Sequence, residues 1–523
     1  MKMLKRILAL ALCAALSVGV AGCGGGSGGN NVPAGKTELK IYYFYGGYGD
    51  KWLEDIITAY NAYNKNVVVN KKSYTGNTDP AQAIEGGSVA YDLYFLNSTG
   101  MNLASKNLLE DLTDVYEAQA PGGTEKVKEK MNNADYFDMT DVEIANGNYF
   151  ALPWANGYCG LIYNKTTLDK TFGADNYSLP RTTDELAEFS DNLKTQGVVP
   201  FVWSAATEYW TFMFNIWWAQ YEGYQGYEDY FNAVVRDGEG NPSLDMTGAV
   251  LSQQGRLESL KILEKFMKKD NAYSHPSCNV MDFMKAQNAF FGNGYAANDS
   301  LCAFMVNGEW ADSEMKLAAA TYNQDVRFMR APIISALGTK LGLSETKLRE
   351  TVDYVDAVLD GETAEKPQGV TDSQIAAVKE ARTIIYDLGR HMNIVLPKAA
   401  KNKEAAKDFL KFFASDAASG YYVRALSGLN LPYGYKPTAG ETNTFSTFVK
   451  SLYEAYPEPL TVSYYKTTAM TFGANLYTHA DNFESKLFLS GTAQQCFDNT
   501  VARYTTGRQG GWESMLREAG LID

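Results

Sequence analysis

Residues 39–63 read LKIYYFYGGYGDKWLEDIITAYNAY, and the change of period inside this stretch decides the fold. Leu39 to Tyr45 is an apolar, β-rich run, Gly46-Gly47-Tyr48-Gly49 supplies turn residues, and Asp50 stands where a helix cap is wanted. Trp52, Leu53, Ile56, Ile57, Tyr60 and Tyr63 then recur at the spacing of one helical face. Val67-Val68-Val69 and Tyr91 to Leu96 read as further strands, with helical patterns between and after them. That alternation predicts an α/β protein whose parallel-type sheet is covered on both faces. Ligands of such sheets sit beyond the carboxyl ends of the strands, which points to the loops after Tyr45 and after Leu96.

Upstream, Lys2, Lys5 and Arg6 precede a short apolar run from Ile7 to Val20, the layout of a secretory signal; a membrane span needs about 20 apolar residues. The run closes on Val20-Ala21-Gly22-Cys23, which looks like a bacterial lipobox, with small residues before a cysteine whose thiol takes the lipid. Residues 1–22 are therefore the expected signal peptide, Cys23 the lipidation site and residues 23–37 a Gly-rich tether. These features predict an exported protein anchored to the outer face of the bacterial cytoplasmic membrane. Losing three of 47 basic residues with the signal leaves 44 against 61 acidic ones, a mature charge of −17. Nucleic acid and anionic lipid are thereby disfavoured as main partners.

Four cysteines remain, Cys159, Cys278, Cys302 and Cys496, spaced too widely for zinc and too few for a disulfide scaffold; a single Cys278–Cys302 bridge stays open. His275, His391 and His479 are far apart along the chain, and neither a metal nor a cofactor is expected. Asp237 to Asn241 resembles the start of a calcium loop, but Pro242 occupies the place of the required glycine.

Residues 38–523 are too many for one ordinary core and predict two lobes. Tyr149 to Leu152 and Cys159 to Tyr163 read as short strands around Pro153-Trp154-Ala155-Asn156-Gly157, a candidate crossing between lobes. Thr182 with Glu185 forms a capping box opening a helix. Residues 336–390 read as a charge-rich helical insertion whose second helix, opened by Thr371 and Gln374, turns Ile375, Val378, Ile385 and Leu388 inward. Asn402 is expected to cap a helix with an apolar stripe of Ala405, Ala406, Phe409, Leu410 and Phe413.

Five stretches resemble the extracellular solute-binding proteins of the maltose-binding type: Tyr149 to Pro153, Leu161 to Lys165, Leu179 to Leu186, Ala303 to Trp310 and Lys401 to Leu410. Each is weak alone; their order and spacing behind a lipobox make the combined signal. The resemblance implies a two-lobe, class II periplasmic-binding-protein-like fold with a hinge and a central cleft, serving an ABC importer's transmembrane permease subunits. It implies lobe 1 at 38–153 plus 398–428 and lobe 2 at 154–397 plus 429–523. Where the family often carries an acid before the second crossing strand, this chain has Gly157, and Leu96 replaces an expected ring.

A sugar presents an apolar face and a rim of hydroxyls, so its site needs flat rings and planar polar groups. Trp310 stands at the family's tryptophan position. Trp203, Glu208, Tyr209 and Trp210 follow a strand-like Val198 to Val202, whereas Trp217 and Trp218 read as core. The first lobe offers Tyr45, Tyr48, Asp92 and Asn97, the crossing Trp154 and Asn156, and Tyr464 with Tyr465 a late aromatic wall. Glu208 and Glu309 can each accept two hydroxyl hydrogen bonds. The function expected is capture of a carbohydrate by a monomer, without catalysis. The competing readings are an exported glycoside hydrolase, which needs two carboxylates facing each other about 5 to 10 Å apart, the same fold holding a polyamine or other small solute, and a surface adhesin or sensor.

Overall fold

The computed structural model describes residues 32–76, 80–98, 100, 103–104, 106–131, 148–174, 176–292, 302–463, 484–505 and 511–522. Cys23, Tyr464, Tyr465 and His479 lie outside the described residues. The strands are β1 (Thr37–Phe44), β2 (Val67–Tyr74), β3 (Leu93–Phe95), β4 (Ala151–Pro153), β5 (Tyr158–Asn164), β6 (Val199–Val202), β7 (Val234–Arg236), β8 (Pro242–Leu244), β9 (Cys302–Gly308), β10 (Val326–Met329), β11 (Ile384–Asp387), β12 (Asn393–Val395) and β13 (Leu460–Val462).

The first sheet runs β2-β1-β3-β12-β4, with β2 and β3 parallel to β1. Alternation in β1 buries Leu39, Ile41 and Tyr43. The helix Lys51–Tyr63 buries Trp52, Leu53, Ile56, Ile57 and Tyr60 as its period predicts, while Tyr63 at its end is exposed. Asp50 makes no side-chain cap and pairs with Lys71 instead. The second sheet runs β13-β11-β5-β9-β6, with β10 also on β5. The two sheets with their covering helices are the two lobes of an α/β class II fold.

Two crossings lie side by side: residues 154–157 lead from β4 to β5 and residues 388–392 return from β11 to β12. Leu388 N donates to Gly157 O at 2.9 Å and Trp154 N to Met392 O at 2.8 Å. Gly157 has φ +71°, and a Cβ there would lie 2.9 Å from Gly389 N, so only glycine lets the strips touch. A third passage runs from the helix Asp416–Ala425, against Lys51–Tyr63, to the helix Thr447–Ala455, against β10. Asn156 Nδ2 donates to Asn430 O of this passage at 3.1 Å.

Several expectations are corrected. The strand at 393–395 pairs with β3 and β4, so this segment belongs to the first sheet and not to the second lobe. The capping box of Thr371 and Gln374 opens the helix Asp372–Thr383, but the β-branched Ile384 and Ile385 leave it for β11. Ile385 is therefore a strand residue and Leu388 lies in the crossing. Asn402 does not cap the helix Lys403–Phe413; Asp92 Oδ1 accepts from Lys401 N and Asn402 N there, at 3.1 and 3.0 Å. Cys278 and Cys302 are buried thiols, not a bridge. Asp237 is spent on the β7–β8 turn, accepting from Glu239 N and Asn241 N. No group of potential metal ligands occurs among the described residues, and none of their helices is long and apolar enough to cross a membrane.

Candidate functional site

The site is built where loops at the carboxyl ends of β1 and β9 face each other across the crossing. Behind β1, the turn at 46–49 carries Tyr48, which is buried. Behind β9, Gly308 gives way to Glu309 and Trp310, and Trp310 stands at the N-terminus of the helix Ala311–Tyr322. A Cβ on Gly308 would overlap the Trp310 ring, so the missing side chain is what lets the indole fold back over the strand end. The Trp310 ring lies 6.2 Å from Tyr48 of the first lobe, 6.0 Å from Tyr209 and 6.3 Å from Phe212, the latter two edge-on. Phe212 in turn stacks on Tyr386 of β11 at 5.5 Å.

The polar centre is Glu309, whose side chain is buried. Its Oε1 accepts from Tyr48 OH at 2.9 Å and from Gly157 N at 3.1 Å. One carboxylate oxygen thus touches the first lobe and the crossing while its own residue belongs to the second lobe. Burial pushes the Glu309 carboxyl up to about 7, and Asp387 adds to this, against the opposing pull of the Gly157 and Tyr48 hydrogen bonds. Burial also holds the Tyr48 hydroxyl well above its ordinary value, with the nearby Glu309 charge acting in the same direction. Partly buried Glu314 lies against Gly47 of the first lobe and accepts from Gln287 Nε2 at 2.6 Å; burial pushes its carboxyl up to about 7 as well.

Of the residues selected from sequence, Tyr48, Tyr209, Glu309 and Trp310 come together, with Asn156 at the crossing. Trp154 is directed elsewhere: it has no exposed surface, donates from Nε1 to Leu96 O at 3.0 Å and lies parallel to Trp52 at 5.9 Å in the first-lobe core. One edge of it still meets Tyr48, at 5.5 Å. Trp203 is likewise interior, stacked on Phe201 at 5.2 Å with its Nε1 donating to Ser274 Oγ at 2.8 Å. Asp92 is consumed by backbone amides, Lys40 N among them at 2.9 Å. Tyr45, Asn97 and Glu208 are exposed, and Trp210 is buried beside Phe214, its Nε1 without a partner among the described residues. Phe212, Glu314, Gln287 and Tyr386 join this cluster, and the sequence reading did not select them.

Two α/β lobes, paired crossings and facing aromatic and carboxylate groups define a hinged ligand-binding protein of the class II type. The bacterial extracellular solute-binding protein family matches residues 46–419, and the chain belongs to that family. Its fold is similar to that of a chitin oligosaccharide binding protein (TM-score 0.57, 13% identity, 90% of this chain and 98% of that one). It is also similar to the binding protein RafE in complex with raffinose (0.54, 14%, 90% and 99%). A third similar structure is the ABC substrate-binding protein Lmo0181 from Listeria monocytogenes in complex with cycloalternan (0.54, 15%, 93% and 99%). No curated protein sequence matches the chain.

Proposed function

We propose that this protein is an exported substrate-binding protein, lipid-anchored through Cys23, that captures an oligosaccharide between its lobes and delivers it to the permease of an ABC transporter. The observation that carries the reading is the convergence of Tyr48 from one lobe with Glu309, Trp310 and Tyr209 from the other. Rings offer faces to the C–H side of a sugar, and the carboxylates accept from hydroxyls. The chitin oligosaccharide, raffinose and cycloalternan held by three proteins of the same fold support a glycan as the cargo. A ligand that touches both lobes only in the closed form shifts the population towards closure, the state a permease can distinguish from the empty one. The residues in the cleft then bind and orient without breaking a bond.

Titration calorimetry against mono- and oligosaccharides, run beside a product assay, tests this reading. Saturable binding without product is expected, and Trp310→Ala loses affinity while keeping its fold. Steady release of shortened sugar, or no glycan bound at all, would overturn it. The anchor is tested separately by lipid labelling in cells: Cys23→Ala releases unlabelled protein into the medium.

A further inference from the structure

Several buried or partly buried carboxylates of this chain are matched by arginine, while Asp92 and Asp245 are instead each met by three backbone amides. Asp356 is matched by Arg330 and Arg382, Asp229 by Arg236 and Glu441 by Arg424. Among the described residues, neither Glu309 nor Glu314 meets a lysine, arginine or histidine, although both lie on the face that the other lobe covers. A carboxylate taken out of water without a countercharge is costly, and hydrogen bonds from Tyr48, Gly157 and Gln287 only share the charge. A second observation points to a missing occupant. Tyr422, from the helix Asp416–Ala425, is fully buried, its hydroxyl has no partner among the described residues, and it lies within electrostatic reach of Glu309. The rings of Trp310 and Tyr48, 6.2 Å apart, complete the surroundings, and aromatic rings attract a cation through their quadrupole.

We propose that the ligand of this cleft carries a protonated amino group, as an amino-sugar unit does, held between Glu309 and Glu314 against the rings of Trp310 and Tyr48. This rests on the glycan reading above and narrows its substrate class. An ammonium donates up to three hydrogen bonds and supplies the countercharge, whereas a neutral hydroxyl donates one and brings no charge. The unpartnered Tyr422 hydroxyl is then a group that ligand atoms can satisfy.

The test compares β-linked glucosamine oligomers with N-acetylglucosamine oligomers and cello-oligosaccharides of equal length, at neutral pH and low salt, by calorimetry. The amine series is expected to bind about tenfold or more tightly than either neutral series, with the gap narrowing as salt is added. Glu309→Gln and Glu314→Gln are each expected to reduce that gap, their retained melting transitions showing that the fold survives. Equal binding of neutral and amine-bearing oligomers would overturn the inference and leave the glycan reading standing. Binding of a linear polyamine such as spermidine, with no oligosaccharide of any kind bound, would uphold the cation site and overturn the glycan reading. An amine preference untouched by both substitutions would overturn the assignment to these carboxylates.

Discussion

Tyr48 and Glu309 join the two lobes through a single buried hydrogen bond of 2.9 Å between residues 261 positions apart. Its acceptor, Oε1, also receives the Gly157 amide of the crossing. The contact therefore reports hinge angle and lobe closure together, and it exists only when β9 and the turn after β1 face each other.

Tyr48→Phe removes the donor and leaves the ring. A hydrogen bond to a charged group contributes about 1.5 to 3 kcal/mol, so ligand-free protein is expected to shift towards an open form. Small-angle scattering of the unliganded variant then gives a larger radius of gyration than the parent. Superimposable curves would show that closure does not depend on this bond.

The same pair predicts a pH dependence. Glu309 is raised from 4.5 to about 7 by burial, with Tyr48, Asp387, Tyr422, Tyr453 and Cys159 the titratable groups around it. The native state holds this proton more tightly than the unfolded one, so the contribution is fully present below the unfolded value and lost as pH rises through about 7. At about 1.4 kcal/mol per pKa unit the loss is on the order of 3 kcal/mol. Denaturant melts across this window are expected to show a steeper decline for the parent than for Glu309→Gln, which carries no titrating proton at that position. Parallel curves would refute the linkage.

The parts of the fold written in local period were legible. The β1 strand, its turn and the helix behind it follow from alternation giving way to a helical stripe, and the capping boxes at Thr182 and Thr371 start helices where they stand. The limit comes with side-chain direction. A tryptophan near a strand end looks the same in sequence whether its ring turns to the cleft, as Trp310 does, or to the interior, as Trp203 and Trp154 do. Glu314 and Phe212 went unselected for a related reason. Their partners Gly47 and Trp310 lie far away along the chain and are brought together only by lobe packing. The family's missing acid at 157 has a structural counterpart, since the carboxylate beside the Gly157 amide is supplied by Glu309.

Gly308→Ala tests the geometry of the platform. The new methyl would occupy the space of the Trp310 ring, which must swing out or force the strand end to shift. Overpacking of this kind costs about 1 to 3 kcal/mol. The expected result is a changed tryptophan near-ultraviolet signal and a weakened ligand affinity, with far-ultraviolet dichroism preserved. An unchanged signal and affinity would mean that the ring position is not set by Gly308.

The helices Glu345–Leu359 and Asp372–Thr383 are tied to Arg330 of the second lobe by a partly buried three-residue ion network, and its removal gives the last prediction. Asp356 of the helix Glu345–Leu359 receives Arg330 Nη1 at 2.7 Å on Oδ1, and Arg382 Nη2 at 2.7 Å on Oδ2. Arg382 Nε adds a bond at 2.8 Å, and the Arg382 side chain is only 3% exposed. Truncating the shared carboxylate leaves two guanidiniums facing each other out of water, which costs about 3 to 5 kcal/mol. Arg330 keeps Asp360 and the Ala455 carbonyl, and Arg382 keeps the Ala331 carbonyl, so both stay in place without their shared countercharge. Asp356→Ala is therefore expected to lower the melting temperature strongly, while Asp360→Ala, which removes a half-exposed partner, changes it little. Similar melting temperatures for the two variants would show that the network does not pin these two helices.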